Sequence, residues 1–122
     1  MINIAICDDD IVITNELELI LQDIAKRNFI KIDMEVFWDA KRVVELIENG
    51  MYFDIIFLDI EIGEEDGITI ARRIRKTDKN VLIIYITSYE SYMQESFVVR
   101  PFRFLLKPIK KNLIELYFLD AY

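Results

Sequence analysis

The chain has 122 residues, with 15 basic against 22 acidic side chains and a formal charge of −7. That length suits one domain able to bury a real core, and the acidic balance argues against this piece binding nucleic acid or an anionic membrane by itself. Slightly over half the residues are apolar while Gly and Pro are scarce, which predicts a compact soluble protein rather than a disordered one.

Short apolar runs alternate with helix-like stretches along the chain. Ile2 to Cys7 is rich in β-branched residues and reads as a strand. Asp10 to Lys26 carries Ile13, Leu17, Ile20, Leu21 and Ile24 at three- and four-residue spacings, the mark of an amphipathic helix. In Ile30 to Phe37 the residues Ile30, Ile32, Met34 and Val36 alternate with polar neighbours, which predicts a second strand. Asp39 is placed to cap a helix carrying Val43, Leu46 and Ile47 and ending near Gly50. Asp54 to Asp59 is apolar on both faces and so reads as a central strand of a parallel sheet.

Further on, Asp66 to Lys76 predicts a helix with Ile70, Ala71 and Ile74 inward and Arg72, Arg73, Arg75 and Lys76 outward. Val81 to Ile86 is another apolar strand, Ser88 to Val98 a shorter helix, Phe102 to Leu106 a last strand, and Pro108 to Tyr122 a final helix. Five strand-then-helix units with short connections predict an α/β fold, a parallel sheet with helices on both faces. In such sheets functional groups collect at the carboxyl ends of the strands.

Two composition facts narrow the chemistry. The single cysteine, Cys7, leaves no internal disulfide and suits a reducing cytoplasm. No histidine occurs, which removes Ser-His-Asp triads, HExxH zinc sites and phosphohistidine donors. Phosphoryl chemistry here must be acceptor chemistry on a carboxylate or hydroxyl. The N-terminus has no basic region or cleavage site of the secretory kind, and the apolar runs are far short of a membrane span.

The predicted strand ends carry a set of reactive groups. Asp8, Asp9 and Asp10 close the first strand, Asp59 the third, Thr87 the fourth and Lys107 the fifth. Asp10 directly precedes a helix and reads as its cap. Two like charges about 4 Å apart repel by roughly 4 kcal/mol at an effective dielectric near 20, so converging carboxylates call for protons or a divalent cation. Oxygen-only ligands favour a hard ion, and few protein ligands with room for water favour Mg²⁺. Taken singly, a lysine such as Lys107 is ordinarily a solvated surface group and a threonine such as Thr87 a satisfied strand-end hydroxyl. Joined to an acidic cluster, they form a rim able to neutralise the oxygens of a phosphoryl group during in-line attack by a carboxylate.

The pieces IAICDDD, FLDIEIGEEDG, YITSY and FRFLLKP, at the ends of alternating strands and in this order, resemble the response-regulator receiver domain over essentially the whole chain. The glycine eight positions after Asp59, Gly67, matches as well. The resemblance implies a flavodoxin-like, doubly wound sheet in the order 2-1-3-4-5. It implies Asp59 as phosphoacceptor, fed by a sensor histidine kinase, with Mg²⁺ held by Asp9 directly, by Asp8 at least partly through water, by Asp59, and by the backbone carbonyl of Glu61. Thr87 becomes the switch hydroxyl, Lys107 the amine that pairs with the phosphate, and Phe104 the switch aromatic, although a core phenylalanine serves that position equally well. The Lys107–Pro108 bond is expected to be cis, as is usual in that family. Such a domain promotes its own phosphorylation and dephosphorylation and is otherwise no enzyme.

Two departures stand out: Gly63 where a proline often sits, and Phe104 where a tyrosine hydroxyl is common. The segment TSYESYMQESFVVRPFRFLLKP is similar to the LytTR-type branch, which implies a DNA-binding output domain beyond Tyr122, absent from residues 1–122. The face formed by the fourth helix, fifth strand and fifth helix is expected to carry the output and a homodimer contact, through residues such as Tyr89, Tyr92, Met93, Phe97, Arg100, Phe102 and Arg103. The final helix, with Ile109, Leu113, Ile114, Leu116, Tyr117, Phe118 and Leu119, has more apolar groups than one buried stripe needs.

Overall fold

A computed structural model describes residues 1–59, 67–87 and 103–121. Five strands run parallel: β1 (Ile2–Cys7), β2 (Ile32–Phe37), β3 (Ile55–Asp59), β4 (Leu82–Thr87) and β5 (Arg103–Leu106). Their spatial order is β2-β1-β3-β4-β5, as expected. The helices are α1 (Ile11–Arg27), α2 (Ala40–Glu48), α3 (Gly67–Thr77) and a C-terminal helix (Lys111–Ala121). The helix expected over 88–98 lies outside the described residues.

Strand alternation divides the core into two layers. Ala5, Cys7, Ile56, Leu58, Ile83 and Tyr85 point to one face, where they meet Val43, Val44 and Ile47 of α2 and Ile68, Ala71 and Ile74 of α3. Ile4, Ile6, Ile55, Phe57, Ile84 and Ile86 point to the other, against Leu17, Leu21 and Ile24 of α1 and Ile114 and Phe118 of the C-terminal helix. Every residue of β3 is buried, which is why its sequence shows no alternation: both faces need apolar side chains.

Local chemistry sets the element boundaries. Asp10 accepts from the amides of Val12 and Ile13 and caps α1, and Asp39 accepts from Lys41 at the start of α2. At the other end of α2, Gly50 takes φ +98, its amide reaching the Ile47 carbonyl while that of Met51 reaches Leu46, a Schellman closure.

At two strand starts where observed and expected boundaries differ, a hydrogen bond has claimed the residue. Strand β2 starts at Ile32 rather than Ile30, because the Ile30 amide closes α1 onto the Ala25 carbonyl after Phe29 turns left-handed at φ 56. β4 starts at Leu82 rather than Val81, whose amide is held by the Asp78 carboxylate at 3.1 Å. Arg75, expected outward, folds back onto the carbonyls of Asp78 and Val81. The last helix begins at Lys111 rather than Pro108, after a Lys107–Pro108 bond that is cis as expected.

Candidate functional site

Strands β1, β3, β4 and β5 end side by side, so their last residues share one rim of the sheet. In register, Cys7 pairs with Leu58, Asp59 with Ile86, and Thr87 with Leu106. Asp8, Asp59, Thr87 and Lys107 therefore come from adjacent strand ends. The Lys107 amide donates to the Thr87 carbonyl at 2.8 Å, tying the last two together.

Three carboxylates gather at that rim. Asp8, Asp9 and Asp59 each offer an oxygen within 4.8 Å of the others. Asp8 and Asp59 are only 2% and 4% exposed, whereas Asp9 faces solvent. Asp8 is held by the Asp10 amide, which donates to its Oδ1 at 2.9 Å. Asp10 thus has two jobs: its backbone orients Asp8 while its side chain caps α1. The capping role was legible from its position before the helix; the first role depends on the bend of the chain and was not.

Lys107 closes the cluster. Its Nζ lies 3.2 Å from Asp8 Oδ2 and 3.3 Å from Asp59 Oδ2. Burial pulls the ammonium toward neutrality, but the charges of Asp59 and Asp8 outweigh it and hold its pKa above the ordinary lysine value. Burial likewise pushes the Asp8 carboxyl up; the Asp10 amide opposes this, the Asp59 charge reinforces it, and Lys107 offsets part of it. One ammonium thus pairs with two of three clustered carboxylates, which leaves an excess of negative charge in a partly dry place.

That excess is the test for a cation. Asp8 Oδ2 is fully buried and, among the described residues, accepts no aligned hydrogen bond, its ion pair with Lys107 notwithstanding. A buried carboxylate oxygen with lone pairs to spare is costly to leave so. The donors within 4.8 Å of one another are all oxygens, and a hard divalent ion suits them. The residues fit Mg²⁺.

The remaining expected residues fall as follows. Thr87 is fully buried at the end of β4. Phe104 is half-buried on β5 and rests against the core on the α2–α3 face. Its ring meets that of Tyr85, centroids 6.2 Å apart and planes at 59°. Sequence reading passed over Tyr85, although its spacing two before Thr87 on a strand places both on one face. Glu61, Gly63, Tyr89, Tyr92, Met93, Phe97, Arg100 and Phe102 lie outside the described residues.

Comparison with known proteins agrees with this geometry. Residues 4–118 match the response regulator receiver domain, and the chain belongs to that family of two-component signalling modules. It is 31% identical over 111 residues to the sensory transduction protein LytR of Staphylococcus epidermidis, covering 89% of this chain and 41% of that protein. It is 27% identical over 116 residues to LytT of Bacillus cereus, covering 93% and 44%. The chain thus spans about two-fifths of the length of the curated relatives it matches. Among solved structures, the response regulatory domain of mrkE from Klebsiella pneumoniae superposes with a TM-score of 0.86 at 23% identity, covering 98% of this chain and 94% of that one. At that identity it speaks for the fold. Among the described residues no helix is long and apolar enough to cross a membrane.

Proposed function

We propose that this domain accepts a phosphoryl group on Asp59 from a sensor histidine kinase in the cytoplasm and relays the change to an output domain. The observation that carries the reading is the Lys107 ammonium, 3.3 Å from Asp59 and 3.2 Å from Asp8, inside a cluster of three carboxylates. A structural ion pair needs one carboxylate. Two carboxylates on one lysine, with a third in the same cluster, suit a site that handles additional charge.

In the reaction, an Asp59 oxygen attacks the phosphorus in line. The new O–P bond forms as the N–P bond to the kinase imidazole breaks; the electron pair stays on that nitrogen, and the ring leaves as neutral imidazole with the proton already on its other nitrogen. Lys107 turns from the Asp59 carboxylate to one phosphoryl oxygen, and the Thr87 hydroxyl donates to another. Asp8, Asp9 and Asp59 would hold the metal, with the Glu61 carbonyl added as the family resemblance implies. Bound there, Mg²⁺ neutralises the carboxylates and takes a share of the phosphoryl charge.

Drawing Thr87 toward the phosphoryl oxygens leaves space on its face of β4, and Phe104 moves into it. The switch is a shift between two packings, biased by contacts that exist only when Asp59 is phosphorylated. The surface of β5, the C-terminal helix and segment 88–98 transmits it, through a homodimer, to a DNA-binding domain following Tyr122. Support for that arrangement comes from the share of the relatives left uncovered and from the name of a Staphylococcus aureus relative, transcriptional regulatory protein LytR, 31% identical over 112 residues. On the C-terminal helix, Leu116 and Leu119 are exposed, while Leu113 and Tyr117 are partly covered by their own subunit. The first pair is therefore the better candidate for a contact.

Intact mass after incubation with a small-molecule phosphodonor and Mg²⁺ tests the reading. Wild type is expected to gain one base-labile phosphoryl adduct and Asp59→Asn none. An adduct on both proteins, or on neither, refutes Asp59 as the acceptor.

A further inference from the structure

Among the described residues, Tyr85 is the largest fully buried side chain. It sits in the middle of a row crossing three strands. Its register partner on β3 is Leu58, fully buried, and its partner on β5 is Phe104. Side chains paired in this way share a face of the sheet. The Tyr85 ring meets the Phe104 ring and lies within the core layer that also contains Leu58, Ile68, Ala71 and Ile74. Thr87 lies on the same face, two residues along β4, roughly 7 Å by strand geometry.

We propose that Tyr85 is a positioning residue for Phe104: its immobile ring sets how far Phe104 can enter the core, and so sets the resting balance of the switch. The inference rests on the Thr87–Phe104 reading above and adds to it the residue that opposes the motion. Phe104 is the mobile member because it is half-buried on β5, an edge strand only four residues long. Tyr85 is the fixed one because it is fully buried in the core layer that holds Leu58 and the helix residues above it. An aromatic wall also attracts the ring it stops. Tilted aromatic pairs favour contact by an amount that changes an equilibrium roughly two- to tenfold. Phe104 carries no hydroxyl that could anchor it in either position, so its packing partner weighs more in the balance.

The experiment places para-fluorophenylalanine at position 104 and reads its solvent exposure by fluorine NMR in the unphosphorylated domain. Three backgrounds are compared: wild type, Tyr85→Phe and Tyr85→Leu. Tyr85→Phe keeps the ring and is expected to reproduce wild type. Tyr85→Leu opens space and is expected to move the resting population inward by roughly two- to tenfold, toward the signal that phosphorylated wild type gives. Tyr85→Met, unbranched and better able to fill the gap, serves if the leucine variant does not fold.

Unchanged exposure of the position-104 probe in the folded leucine or methionine variant overturns the proposal. So does a Tyr85→Phe protein that behaves like Tyr85→Leu, since the hydroxyl rather than the ring would then be at work. Failure of the broader reading looks different: wild type gains no phosphoryl mass. The resting spectra still decide the role of Tyr85 in that case, because they need no phosphorylation.

Discussion

Among the described residues two occupy left-handed backbone, and they illustrate how differently one conformation is supported. Gly50 closes α2 at φ +98, with no atom near enough to meet an added Cβ. Phe29 closes α1 at φ 56 while 96% exposed, so its side chain gains no packing there. An L side chain in that region costs roughly 1–2 kcal/mol. Phe29→Gly is therefore expected to stabilise by about 1 kcal/mol after its extra unfolded-state entropy is charged against it. Gly50→Ala should destabilise by about 1 kcal/mol through the backbone alone. Urea unfolding of both variants checks the pair. Like signs for the two substitutions would show that conformation is not what governs them.

Among elements, the contact between α1 and the C-terminal helix has the clearest electrostatic signature. Arg27 reaches Asp23 at 3.0 Å within α1 and Glu115 at 2.8 Å across to the C-terminal helix, and Lys111 reaches back to Asp23 at 3.4 Å. The Arg27 hydrogen bond lowers the carboxyl pKa of both Asp23 and Glu115, with lesser help from Lys111. A depressed folded-state pKa means the unfolded chain binds protons more readily. The contribution to stability is present above the ordinary carboxylate value and disappears as pH falls through the folded one. These groups lie at the surface, where salt and side-chain entropy erode the gain. Glu115→Gln should therefore lower the melting temperature slightly at neutral pH and low salt, with the difference vanishing in acid. Melting both proteins across pH tests it; a difference that persists in acid would place the effect in packing instead.

At the scale of the molecule, the acidic rim links folding to metal. Asp8 and Asp59 come from separate strands and meet only when the sheet forms, so the unfolded chain offers no comparable site. An ion that binds the folded form alone stabilises it by about 2.7 kcal/mol at one hundred times its dissociation constant. Differential scanning calorimetry should show the melting temperature rising through millimolar Mg²⁺, with the rise blunted in Asp9→Asn. A midpoint indifferent to Mg²⁺ in wild type would remove the metal from the reading.

Much of this molecule was legible in the bare sequence, for a physical reason. Hydrophobic period depends only on which faces must be dry, and it marked all five strands and the four described helices to within a few residues. Asp39 and Asp10 announced helix starts because a short acceptor side chain satisfies amides that the helix leaves open. The site residues stood out because strand ends in parallel sheets point to one rim, so Asp8, Asp59, Thr87 and Lys107 could be grouped before any coordinate was known. What depended on tertiary structure was every relation across space: the 3.2 and 3.3 Å reach of Lys107 to two carboxylates, the Asp10 amide beneath Asp8, and the inward turn of Arg75. The wall that Tyr85 makes for Phe104 belongs with them. Periodicity is a property of one segment and can be read from it. Contact between segments is a property of how their surfaces dock, and no single stretch of chain contains it.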